Sequence, residues 1–273
     1  MTDQNPNILP DGPDEAERPR AAAPGEDLTG LLRAWPYEAG RVNVRMLRAA
    51  DGRTILQMRL ELGVLQMELT GRPDGLRPEG RESLLEHHLA RRDLWAKVHG
   101  DARGFVLGAE ECAALREEAV QYYHRYVGLL VLEEYDGVIR DTTRNLEVFD
   151  LCRDHGAEEG DRSSLEQFRP YVVMMRSRAE AARAVGAGDP RGALEAIDRG
   201  LAEIRMAMED IGTADRFDDA NEVQLLRGMR EMLVPRLPVS QRAELHERLR
   251  AAVAAENYEL AAILRDELRL LEG

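Results

Sequence analysis

Cysteine, lysine and aromatic side chains are all scarce in this chain, and each scarcity excludes something. Cys112 and Cys152 are the only cysteines. Two thiols make no disulfide framework, and without a Cys-x-x-Cys pair there is no zinc-binding knuckle. Lys97 is the only lysine, so arginine supplies the other 36 of the 37 basic side chains. Acidic side chains number 51 and the net charge is −14. Affinity for a phosphate backbone comes from clustered cations, so direct nucleic-acid binding is not expected. No stretch approaches the roughly 18 uninterrupted apolar residues of a membrane helix, so no membrane role is expected either. The N-terminus lacks the basic-then-apolar order of a secretory signal. Together with two unpaired thiols, this points to the cytoplasm. Gly-x-Gly-x-x-Gly and Gly-x-x-x-x-Gly-Lys-[Ser/Thr] are both missing, and no cofactor is expected.

What remains is a globular composition: 273 residues, 44% hydrophobic and 32% charged. The pattern divides the chain into four parts. Residues 1–27 are an acidic tail interrupted by Pro6, Pro10, Pro13, Pro19 and Pro24, without apolar periodicity, and are expected to be disordered. Residues 28–107 hold a small β element and a helix. Val42, Val44 and Met46 alternate with polar residues, Asp51-Gly52 signals a turn, and Leu56, Met58, Leu60 and Leu62 alternate again. After Gly63 the alternation slips by one residue, so Gly63 is either a bulge or the corner to a third strand. A sheet this polar on one face must pack its other face on helices.

Residues 108–237 read as a helical array. Ser83-Leu-Leu-Glu86 forms a capping box ahead of the first long helix, whose face holds Leu84, Leu85, His88, Leu89 and Trp95. A second helix starts near Ala109 and a third spans about 135–152. Ser164-Leu-Glu-Gln167 is expected to cap a fourth. Asp189-Pro190 opens a fifth, with Asp as N-cap and Pro in the first turn. Another covers about 215–233, and Pro235 and Pro238 make a linker. Tyr135, Pro190 and Tyr258 each precede small or apolar residues at steps of three and four, the pattern of helices packed closely in pairs. Pro190 follows Tyr135 by 55 residues and Tyr258 follows Pro190 by 68. Neither spacing matches the roughly 34-residue tetratricopeptide period, so the upstream hairpins resemble that family only loosely. The expected fold is mainly α with a small N-terminal antiparallel β element.

Candidate chemistry is sparse. His87 and His88 point about 100° apart on a helix and lack the spacing of a metal pair, which leaves them as partly exposed structural histidines. Cys152-Arg-Asp-His155 at a helix end lacks the orienting third group of a nucleophilic site. Tyr122, Tyr123 and Tyr126 have too few basic neighbours to be a base-stacking platform and read as core. No catalytic or metal-binding residue is assigned, and a non-catalytic protein is expected.

The segment at 238–273 stands apart. Leu245, Leu249 and Ala252 lie on one short helix. Tyr258-Glu-Leu-Ala261-Ala-Ile-Leu264-Arg265-Asp266-Glu-Leu268 forms a second, with Asn257 placed to cap it. Two helices this short cannot bury their stripe on each other alone, so they must dock on the parent chain, on a second copy or on another protein. The Tyr-Glu-x-Ala-Ala-x-Leu-Arg-Asp-x-Leu core resembles the UVR (UvrB/UvrC) motif. In that bacterial family the motif is a helical hairpin for protein–protein contact. It joins two subunits of the excision-repair nuclease, and it recurs in Clp-type ATPases and their arginine-kinase activator. The resemblance implies a protein partner, a Clp-type or excision-repair component, or self-association. Its contact residues would be Leu245, Leu249, Tyr258, Ala261, Leu264, Arg265, Asp266 and Leu268. Tyr258 is expected to anchor the turn, with Leu249 and Leu264 on the stripe. Helicase motifs, nuclease signatures and the activator's zinc-binding cysteine pairs are absent from the sequence.

Overall fold

The structure is a computed structural model that describes Gly25 and residues 27–234, 239–255 and 257–272; within 239–244 and 270–272 it describes the backbone alone. The acidic tail at 1–27 therefore lies almost wholly outside the described residues, as does the Pro235–Pro238 linker. After a short helix α1 (Thr29–Ala34), three strands follow: β1 (Asn43–Arg48), β2 (Thr54–Arg59) and β3 (Val64–Glu68). They form one antiparallel sheet in the order β1-β2-β3. Gly63 is the corner, not a bulge, and β2 and β3 pair without interruption from Arg59↔Val64 to Ile55↔Glu68.

Register explains how the sheet faces are used. Val44 pairs with Met58, Met46 with Leu56, and Leu56 with Met67, so these side chains share one face. That face meets α3 (Ala109–Val131), where Gly128 permits the approach: a Cβ there would lie 3.1 Å from both Leu56 and Val44. The other face is polar yet half covered. Arg45 donates to Gln57 Oε1 at 2.8 Å, Gln57 Nε2 donates to Gln66 Oε1 at 3.0 Å, and the Arg45 guanidinium lies 4.0 Å from the Trp35 ring centroid.

The helices follow as α2 (Leu84–His99), α4 (Tyr135–His155), α5 (Glu159–Ser163), α6 (Arg169–Gly186), α7 (Pro190–Asp210) and α8 (Asn221–Leu233), with α3 between α2 and α4. Helices α3 and α4 pair, as do α6 and α7, and α4 packs on α6. Close approach in the second pair depends on Gly200, where a Cβ would overlap the Ser177 side chain. One apolar core runs through all of this, from Leu56 in the sheet to Leu233 in α8.

Three local expectations need correction. Ser164 is not an N-cap: it closes α5, its segment turns through a 3-10 helix at Glu166–Phe168, and α6 begins only at Arg169, with Pro170 in its first turn. The helix expected from about 215 is likewise divided into a 3-10 turn at Ala214–Asp219 and α8. His88 is buried rather than partly exposed, packed beside Arg91, whose Nη1 lies 3.0 Å from its Nδ1. Elsewhere the caps match the spacing. Ser83 Oγ accepts from Glu86 N at 3.3 Å, and Asp189 Oδ1 accepts from Gly192 N at 2.8 Å.

Buried charge ties the sheet to the helices. Arg125 on α3 donates from Nε and Nη2 to the two Asp141 oxygens at 2.7 and 2.8 Å, with both side chains 1% exposed. Its Nη1 donates to the backbone oxygens of Glu68 (2.9 Å) and Gly71 (2.8 Å), which fixes the end of β3. Glu118 accepts from Leu84 N at 2.9 Å and Leu85 N at 3.3 Å, capping α2 from another helix, and also pairs with Arg144. Burial pushes Arg144 down to about 9, so it remains a cation at neutral pH.

Candidate functional site

The C-terminal hairpin is built from α9 (Val239–Ala254) and α10 (Tyr258–Glu272). Its turn is defined by the backbone and by one side chain. Asn257 N donates to Ala252 O at 2.9 Å, and Asn257 Oδ1 accepts from Leu260 N at 3.1 Å. Asn257 therefore caps α10, as its position suggested. The three- and four-residue steps between Ala261, Leu264 and Leu268 turn these side chains toward Leu245, Ala252 and the half-buried Leu249.

These six side chains do not stand open. Leu264 is 1% exposed, and Leu245, Ala252, Ala261 and Leu268 are all buried. Val234, just past α8, belongs to the same cluster, and Leu194 on α7 packs against it. The stripe expected to face a partner is instead covered from within the chain, because the hairpin folds back on the end of the array. Leu194 also packs against the main core, so it belongs to both.

One charged contact reinforces this docking. Arg230 on α8 donates from Nε to Asp198 Oδ1 on α7 at 2.7 Å, and its Nη2 pairs with Glu267 on α10. Glu267 is buried, so its carboxylate depends on that guanidinium for compensation. Sequence reasoning left Arg230 and Glu267 unassigned. Nothing in local spacing links two residues 37 positions apart, although a Glu among the inward positions of α10 was the available signal.

The outward face of α10 carries the other expected contact residues. Tyr258 is 69% exposed and does not anchor the turn, which the backbone and Asn257 hold by themselves. Leu260, Ile263 and, on α9, Val253 are also exposed. Arg265 and Asp266 lie in solvent beside one another, 3.2 Å apart at their closest. Such an exposed pair contributes little to stability, which leaves it free to serve recognition.

The remaining chemistry-bearing residues are occupied with structure. Cys112 and Cys152 are free thiols buried against each other's helices, and burial pushes Cys152 up to about 12. A thiol held protonated in this way is a poor nucleophile. His155 sits at the C-terminal end of α4, its Nδ1 3.1 Å from Phe105 O. Tyr122 and Tyr126 are buried, whereas Tyr123 is exposed. Among the described residues, no group of three or more His, Cys, Asp or Glu is placed to hold a metal ion. Among them, too, no helix is long and apolar enough to cross a membrane.

Comparison with known proteins bears on this same hairpin. Residues 241–273 match the UvrB/uvrC motif, UVR. No curated protein and no solved structure matches the chain.

Proposed function

We propose that this chain is a non-catalytic interaction protein that binds a protein partner through its C-terminal hairpin. The observation that carries the reading is the coincidence of the UVR match at 241–273 with a folded helical hairpin at the end of the array. The motif mediates protein contacts in excision-repair proteins, and a helical hairpin with an exposed outer face suits that use. On this reading Tyr258, Leu260, Ile263, Arg265 and Asp266 meet the partner. Leu245, Leu249, Ala261, Leu264 and Leu268 hold the hairpin in the shape that presents them. A reducing cytoplasm suits the two free thiols.

The finer proposal is that the partner is a component of the excision-repair or Clp-type machinery, as the motif's distribution suggests. The acidic balance of the chain supports recruitment through protein rather than through DNA. Affinity capture tests both levels, with the full chain compared with a chain ending at Val234. The reading expects a defined set of proteins retained by the full chain and absent from the shortened one, with repair or Clp subunits among them. Equal retention by both would move the interaction surface to the array and overturn the proposal.

A further inference from the structure

Away from the hairpin, α3, α4, α6 and the turn at 163–168 line an open pocket of about 530 Å³. A pocket of this size falls in the range of small-molecule sites. Its walls are aromatic, formed by Tyr123, Tyr126, Phe149, Phe168 and Tyr171. The Tyr123 ring stands perpendicular to Tyr126 at 5.6 Å and tilted to Tyr171 at 6.2 Å. Phe149 and Tyr126 are buried at the back, while Val120 and Phe168 are 51% and 53% exposed at the front. Large apolar side chains left in water around one opening mark a place where something apolar belongs.

The polar groups of the cavity narrow the class of ligand. Arg116 is neutralised: its Nη1 donates to Asp161 Oδ1 at 2.8 Å. Asn145 is held by the protein, donating from Nδ2 to Ala119 O at 2.9 Å and accepting from Arg144 Nη1 at 3.2 Å. Tyr126 differs. It is 1% exposed, it lines the cavity, and its hydroxyl makes no hydrogen bond among the described residues. That phenol, held protonated by its burial, is a donor at the pocket wall with no protein acceptor among the described residues.

We propose that this cavity binds a small, flat, uncharged aromatic molecule carrying one acceptor oxygen, stacked among the aromatic walls and hydrogen-bonded by the Tyr126 hydroxyl. The apolar lining excludes a highly charged ligand, since the one arginine there already has its counter-charge. The site is independent of the hairpin and of the function proposed for it.

The test uses the full-length chain and the fluorescent ketone 6-propionyl-2-dimethylaminonaphthalene, an uncharged naphthalene with one carbonyl acceptor. The proposal expects saturable binding at one site per chain, with blue-shifted emission. Tyr126→Phe keeps the ring and removes the donor, and weakens binding about two- to tenfold, the range one hydrogen bond supplies. Val120→Trp places a large side chain at the half-exposed opening and abolishes binding. Melting curves of both variants establish that they are folded. Should either fail to fold, Phe168→Ala removes an exposed wall and is expected to weaken binding. Absence of saturable binding, or equal affinity in the wild type and every folded variant, overturns the proposal.

Discussion

The two apolar cores of this molecule are built on different terms. The main core runs from the sheet through α8 and is cross-braced by buried charge: Arg125 with Asp141, and Glu118 with Arg144. The hairpin core is a handful of Leu, Ala and Val side chains, and it meets the main body through Leu194, Val234 and the Arg230–Glu267 pair. A long helical array can support its own sheet. A pair of helices of 16 and 15 residues cannot bury a stripe alone, and borrows cover from its neighbour. The matched motif is thus a small appended unit, stable because it is docked. Its outward face remains for other contacts.

The largest effect is expected in the main body. Asp141→Asn leaves Arg125 buried without its counter-charge, at a cost of about 3–5 kcal/mol. Chemical denaturation followed by circular dichroism measures it, and the loss should loosen the sheet as well, because Arg125 also holds Glu68 and Gly71. A change under about 1 kcal/mol would show that the charge bracing is dispensable. Next is Leu264→Ala, which removes a fully buried side chain of the small core and costs about 2–5 kcal/mol. The loss should fall on the hairpin, seen as faster proteolysis after residue 234 with the array intact. Equal loss throughout the chain would merge the two cores into one.

Acid should act on the body first. Burial lowers the pKa of His88 and His124 below the ordinary 6.5, with Glu111 opposing this in part at His88. Both rings are held neutral when folded, so the unfolded chain binds more protons as pH falls below about 6.5. Their contribution is complete above that value and is lost as pH falls toward the lowered folded values. Melting temperature should therefore decline below pH 6.5, and less so in His88→Gln. A flat profile in the wild type would contradict the burial of these rings. The smallest effect is that of Arg265→Ala, which should leave stability within about 0.5 kcal/mol, as for other surface changes, yet reduce partner capture. Undiminished capture would remove Arg265 from the proposed contact.

Legibility from sequence followed the same division. Local signals were readable: the alternation of β1 and β2, Asp189-Pro190 at the start of α7 and Asn257 at the start of α10. Each depends on a few neighbouring residues. Ser164 misled because a capping spacing does not show whether the chain continues as α-helix or tightens into a 3-10 turn before Pro170. Burial of His88 and the Arg125 and Arg230 bridges were not readable, because their partners are brought close by tertiary packing. In the hairpin the inward residues Leu245, Ala261, Leu264 and Leu268 were legible from periodicity. Which surface they met was not, since the answer depends on Leu194 and Val234, far away in sequence or hidden at a helix end. The phenol of Tyr126 read as core packing, and only the cavity beside it gives its hydroxyl a meaning.

Native-state hydrogen exchange on the full chain and on Arg230→Gln tests most directly whether the hairpin is a docked unit with a core of its own. The account predicts that amides of α9 and α10 exchange through a shared opening of lower free energy than those of α3, α4, α6 and α7. It predicts further that Arg230→Gln lowers the first far more than the second, although the residue also bonds Asp198 on α7. One common opening free energy for all six helices, lowered equally by the substitution, would contradict it.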